Sequence, residues 1–163
     1  RLADAKFLAG CSGMVLDYAA REPFWRRNLN YNHGTGHGVG YLGNIHEAPI
    51  GFRWKATRDA MCEIEPGMVI TNEPGIYIEG SHGIRIENEL LVRAGEKNEY
   101  GQFLYFEPLT FVPIDLDALR PELMTEEEKQ LLNAYHQSVY EKISPYLEAE
   151  EKEWLKEYTR PVK

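Results

Sequence analysis

The residues best suited to chemistry lie between His33 and Glu87. Asn32-His33-Gly34-Thr35-Gly36-His37-Gly38-Val39-Gly40 carries four glycines within seven residues, together with two imidazoles. A histidine flanked by glycine suits an imidazole that must reach a metal or substrate through a crowded backbone. Asn44-Ile45-His46-Glu47 follows, so three of the five histidines fall within fourteen positions. Two glutamates stand further on: Glu73 in Thr71-Asn72-Glu73-Pro74-Gly75, and Glu87 in Gly83-Ile84-Arg85-Ile86-Glu87-Asn88. One imidazole and two carboxylates suit a hard or borderline divalent ion, Mn²⁺ or else Zn²⁺ or Co²⁺ in a mixed site. No C-x-x-C is present, which disfavours structural zinc.

Spacing alone also describes something plainer. Arg85 and Glu87 are two residues apart and share one face of a strand, as on any solvated antiparallel sheet. The same geometry lets Arg85 hydrogen-bond Glu87 and orient it. The His37 loop is what tips the reading towards a metal. Charge counting then limits it, because two divalent ions carry +4 and want about four carboxylates. Glu47, Glu79 and Glu89 have no comparable context, so on residues alone the site is mononuclear or incomplete.

The elements that must position these residues read as α+β. Leu2, Ala5, Leu8 and Ala9, then Val15, Leu16, Ala19 and Ala20, recur at helical spacing over Arg1 to about Arg21. Gly10-Cys11-Ser12-Gly13 divides this stretch into a first helix and a second that begins near Ser12, a plausible N-cap. Pro23 stops or kinks the second. His33 to Gly51 reads as a glycine-rich loop or irregular strand, and Glu65-Pro66-Gly67 as a turn. Strands follow at Met68–Thr71 and Gly75–Ile78, with Glu79 to Gly83 as a turn. The next strand, Ile84–Val92, puts Ile84, Ile86, Leu90 and Val92 on one face. A last strand runs from about Phe103 to Val112, bent at Pro108.

The C-terminal third is helical and mostly acidic. Thr125-Glu126-Glu127-Glu128 is a capping box, followed by Leu131, Leu132, Tyr135, Val139 and Ile143 on one face. Ser144-Pro145 reads as the start of another helix, with Leu147, Trp154, Leu155 and Tyr158 as its apolar stripe. The expected division is 1–105 and a helical extension over 106–163.

Composition narrows the partners. With 163 residues, 43 % hydrophobic and 27 % charged, the chain can bury a sizeable core. A net charge of −8 argues against nucleic acid. No apolar run approaches the roughly 20 residues of a membrane span. Two cysteines build no disulfide framework, which makes a reducing cytoplasm the expected compartment. The opening at Arg1, without methionine, reads as a segment of something longer.

The three motifs, in this order and at this spacing, resemble the C-terminal half of the pita-bread metallopeptidases. The nearest resemblance is to the Xaa-Pro aminopeptidases (aminopeptidase P), which remove an N-terminal residue that precedes proline. Phe106-Glu107-Pro108-Leu109-Thr110 and the acidic tail resemble the C-terminal extension of the longer members. The resemblance implies an antiparallel sheet with helices and a small helical tail. It implies His37 and Glu73 as metal ligands, Glu87 as a carboxylate bridging two divalent ions, commonly manganese, and Arg85 as the group orienting Glu87. It further implies that His33 and His46 line the substrate site and move protons around the cleaved bond, making His33, His46 and Arg85 the catalytic set.

Members of the family use two further aspartates and another histidine from the preceding half of the fold. Asp4 and Asp17 sit in helix-like contexts and do not fill those places. The segment alone is therefore expected to be inactive and to hold two ions poorly. A prolidase, cleaving the Xaa-Pro dipeptide, is the alternative enzyme; methionine aminopeptidase fits the loop and tail less well. A metal-free pita-bread binding module is the alternative outside enzymes. Longer relatives also imply a homodimer, with the tail's Tyr and Trp stripe as its contact.

Overall fold

A computed structural model describes all residues, Arg1–Lys163. The chain divides into two units, Arg1–Thr110 and Phe111–Lys163. The first is built on a six-stranded sheet. Its strands are β1 (Lys6–Leu8), β2 (Gly36–Gly38), β3 (Glu47–Phe52), β4 (Val69–Asn72), β7 (Asn88–Asn98) and β8 (Gly101–Pro108), in the order β1-β8-β7-β4-β2-β3. Every pairing is antiparallel. A separate hairpin pairs β5 (Gly75–Ile78) with β6 (His82–Arg85). Two helices complete the unit, α1 (Gly13–Trp25) and α2 (Arg58–Met61).

Period-two alternation places the core. Leu90 and Val92 on β7, Ile70 on β4, and Leu104 and Phe106 on β8 are buried together. Burying side chains of this size is worth roughly 1.5–3 kcal/mol each, so a one-residue slip of β7 would sacrifice the set. Leu16 and Ala20, four apart on α1, pack into the same cluster. Phe52 closes it, edge-on to Phe106 with ring centroids 5.8 Å apart.

Several elements differ from expectation. The first segment is not a helix. Leu2–Asp4 is one 3₁₀ turn, and Lys6–Leu8 pairs with Phe103–Tyr105 of β8. Three residues gain more from a ladder than from an isolated helical turn, and Gly10, at φ +90°, ends the strand. The second helix does open after Ser12, although the Ser12 side chain makes no capping bond. Pro23 lies in its last turn, which runs on to Trp25.

Within His33–Gly51 there are two true strands, β2 and most of β3. The expected single strand Ile84–Val92 is two strands. Its chain leaves the β5–β6 hairpin at Arg85 and joins the main sheet at Asn88. Ile84 and Ile86 therefore lie 55 % and 44 % exposed, outside the core they were expected to share with Leu90 and Val92. The last strand ends at Pro108, which has no N–H to extend the ladder.

The second unit holds α3 (Glu126–Ile143) and α4 (Ala149–Tyr158). Both halves of the Thr125–Glu128 capping box are present, an arrangement worth about 1 kcal/mol. Leu132, His136 and Val139 form the buried face of α3. Ser144-Pro145 opens only a 3₁₀ turn, and a second capping box, Glu148 with Glu151, starts α4. Leu155 is the buried residue of α4, while Trp154 stands 54 % exposed and stacks on Tyr158 with centroids 4.6 Å apart. Burial of His136 pushes its pKa down; its Nε2 accepts the Ile114 N–H at 3.0 Å.

Candidate metal centre

Two glycines let β2 enter the sheet. A Cβ at Gly36 would collide with the carbonyl oxygen of Thr71 on β4, and one at Gly38 with the carbonyl oxygen of Glu47 on β3. Between them His37 pairs with Gly51, and the register shifts immediately after it. The glycines thus let three strands close around one imidazole.

A short network then aims that imidazole. The His37 N–H donates to the Thr71 hydroxyl at 3.0 Å, and that hydroxyl donates to Glu73 Oε1 at 3.0 Å. The Glu73 N–H donates to the Thr35 carbonyl at 2.7 Å. His37 Nδ1 lies 2.9 Å from the carbonyl oxygen of Gly38, an acceptor only, so Nδ1 carries the proton. Nε2 faces Glu73 Oε1 at 3.2 Å.

Glu87 sits where the chain passes from β6 to β7. One donor atom each from His37, Glu73 and Glu87 lies within 4.8 Å of the others. Arg85 Nε approaches Glu87 Oε2 at 3.5 Å. The Tyr77 hydroxyl, with help from Glu87 and Glu73, holds the Arg85 guanidinium above its ordinary pKa. The donor set fits a divalent cation. A nitrogen lone pair and carboxylates converging on one point repel each other unless a positive charge lies among them.

A cleft of about 490 Å³ opens beside this cluster, lined by His33, His37, His46 and Glu73. Of the residues expected at the site, His33, His37, His46, Glu73 and Arg85 line this cleft, whereas Glu87 joins His37 and Glu73 in the cluster without lining it. The rings of His37 and His46 lie 4.0 Å apart, centroid to centroid. His33 Nδ1 bonds the Gly34 carbonyl at 2.7 Å, so its Nε2 accepts from the Tyr77 hydroxyl at 3.0 Å. Asp17 is buried against Arg21 and Thr35 and takes no part in the cluster.

Sequence reasoning missed Thr71, Tyr77 and Arg53. Tyr77, Arg53 and Arg85 complete the cleft wall. A usable signal existed for Thr71, since it precedes Glu73 by two residues and shares its side of the chain. Thr71→Val should weaken metal binding by roughly 10–100-fold, the usual cost of losing a group that holds a ligand in place. Titration with Mn²⁺ by calorimetry checks this, and wild-type affinity would remove Thr71 from the site.

Residues 1–94 match metallopeptidase family M24, and residues 102–162 match the C-terminal region of that peptidase family. The chain belongs to metallopeptidase family M24. It is 44 % identical to a probable Xaa-Pro aminopeptidase P of Talaromyces marneffei, over 98 % of this chain and 25 % of that protein. It is also 44 % identical to aminopeptidase P2 of Arabidopsis thaliana, over 99 % of this chain and 23 % of that one. The X-prolyl aminopeptidase of Caenorhabditis elegans, described as a cytosolic enzyme with a di-nuclear active site, superposes with a TM-score of 0.89 at 38 % identity. That match covers 99 % of this chain and 26 % of the worm protein. An Xaa-Pro dipeptidase of Bacillus anthracis matches less fully, with a TM-score of 0.54, 34 % identity, and 71 % and 28 % coverage. This M24 chain, with its antiparallel sheet and C-terminal helices, has the pita-bread fold and spans about a quarter of the length of these relatives.

Proposed function

We propose that the protein is a metal-dependent aminopeptidase that hydrolyses the bond between an N-terminal residue and a following proline. The observation that carries this is the convergence of His37, Glu73 and Glu87 beside a histidine-lined cleft, in a chain so similar to Xaa-Pro aminopeptidases. His37 and Glu73 would be ligands and Glu87 a carboxylate shared by two divalent ions, with manganese the leading choice and zinc or cobalt the others. Such ions supply Lewis-acid activation of water and of the scissile carbonyl. The remaining work falls to the chain. Arg85 orients Glu87, while the Tyr77 hydroxyl holds the His33 ring through its Nε2. His33 and His46 would bind the peptide and carry protons at the cleaved bond.

His37, Glu73 and Glu87 contribute two negative charges against the +4 of two ions. Further carboxylates must complete a two-ion site, and the chain alone should be inactive. Residues 1–105 would form the catalytic part and 106–163 the extension. We place the protein in the cytoplasm, and propose a homodimer in which the exposed Tyr146 and Trp154 take part.

A prolidase activity is the second reading, favoured by the likeness to the Bacillus anthracis dipeptidase. The fuller match to the Caenorhabditis elegans aminopeptidase, 99 % of this chain against 71 % for the dipeptidase, weighs against it. The test is hydrolysis by the full-length protein, with Mn²⁺, of a tripeptide with proline second and of the matching Xaa-Pro dipeptide. Release of the first residue from the tripeptide is expected. Cleavage of the dipeptide alone would make it a prolidase, and no cleavage of either would leave a binding module.

A further inference from the structure

Behind the histidine loop lies an ion pair that the proposed chemistry does not use. Asp17 and Arg21, one turn apart on α1, are both 0 % exposed. Arg21 Nε donates to Asp17 Oδ2 at 2.6 Å. The rest of the guanidinium is spent on the chain entering the site: the side-chain oxygen of Asn30 at 3.0 Å, the carbonyl of Tyr31 at 2.8 Å and that of His33 at 2.7 Å. Its face lies 4.0 Å from the centre of the Tyr31 ring. The other oxygen of Asp17 accepts from the Thr35 hydroxyl at 2.5 Å. Thr35 in turn holds the Glu73 N–H through its carbonyl and bonds Phe52 O through its own N–H at 2.8 Å.

Taking two charges out of water is costly, and apolar residues of the same volume usually stabilise a fold at least as well. Here almost every bond of the pair ends on residues 30–35. We propose that Asp17 and Arg21 are positioning residues for the site, a buried clamp whose arginine arm sets His33 and whose aspartate arm, through Thr35, sets Glu73. The inference rests on the function proposed above. Planar geometry is what the clamp requires: one guanidinium reaches a carboxylate and two carbonyls in fixed directions, which a lysine ammonium cannot do.

The test is Arg21→Lys in the full-length protein, compared with Val92→Ala. The latter empties space in the β7 core without touching the loop, and so reports the effect of lost stability alone. Three quantities are measured well below the melting temperature: kcat/KM on a proline-containing tripeptide, Mn²⁺ affinity by calorimetry, and the Tm itself. Arg21→Lys should lower kcat/KM roughly 10–100-fold and weaken Mn²⁺ binding several-fold, as loss of an outer support does elsewhere. Val92→Ala should lower Tm while leaving both other quantities near wild type. An Arg21→Lys protein that loses Tm and nothing else would overturn the clamp.

Should Arg21→Lys not fold, Thr35→Val keeps the ion pair and the bonds of Arg21 to residues 30–33, and removes the Thr35 hydroxyl from Asp17 and from the buried Tyr31 hydroxyl. It should weaken Mn²⁺ binding likewise, and unchanged affinity would again overturn the inference. If the wild type binds Mn²⁺ but cleaves no Xaa-Pro peptide, the proposed function fails, and the Mn²⁺ comparison still decides the clamp.

Discussion

Glu87→Gln in the full-length protein should reduce proline-dependent cleavage to background and lower the content of bound metal. The substitution keeps shape and removes one charge. A carboxylate shared between two ions serves both, so its loss should exceed the roughly 10–100-fold typical of a residue that only supports a ligand. The fold should hardly notice. The Glu87 side chain is 39 % exposed and its nearest cation, Arg85 at 3.5 Å, is itself half exposed. Exposed substitutions of this kind usually stay within about 0.5 kcal/mol. Activity and metal content should therefore fall while Tm stands still, a combination that misfolding does not produce. Measurement is by peptide hydrolysis, elemental analysis and thermal melting on one preparation. Wild-type activity in the variant would sink the assignment of Glu87.

Gly36→Ala should be the most damaging small substitution in the loop, and through stability as well as chemistry. The added Cβ would meet the Thr71 carbonyl oxygen and also a ring carbon of Phe52, which is itself buried in the core. A backbone carbonyl in a ladder cannot rotate away, so β2 must move out from β4. Overpacking typically costs 1–3 kcal/mol, and a clash with backbone belongs at or above the top of that range. Moving β2 carries His37 off Thr71 and away from Glu73, so Mn²⁺ affinity should fall with Tm. Gly43→Ala is the contrasting variant: nothing lies within 4 Å of a Cβ there, although its φ of +83° adds some local strain. A Gly36→Ala protein with wild-type Tm and metal affinity would refute the close-approach argument.

Much of the site was legible before any coordinates. Glycine on both sides of His37 signals close backbone approach, and the structure supplies the reason in the carbonyls of Thr71 and Glu47. The Arg85–Glu87 pairing follows from two-residue spacing, which survives even though the expected strand breaks in two. The Thr125 capping box is local chemistry and needs nothing from the rest of the chain. Lys6–Leu8 was illegible because three residues become a strand only when β8, almost a hundred positions later, offers a partner. Ile84 and Ile86 misled for a related reason: alternation is a property of each strand, and it continues unbroken when the chain changes sheets.

The sequence by itself determined which groups could bind a metal, an imidazole and two carboxylates beside glycine, because residue type settles ligand chemistry. It also determined the helical tail, because caps and apolar stripes act over a few residues. Tertiary structure decided that His37, Glu73 and Glu87 lie within 4.8 Å of one another, that Thr71 and Tyr77 aim the histidines, and that Asp17 accepts from Thr35. Those outcomes depend on strands from distant parts of the chain meeting in one register. Backbone pairing across such separations is set by the packing of the whole unit, which no local pattern encodes.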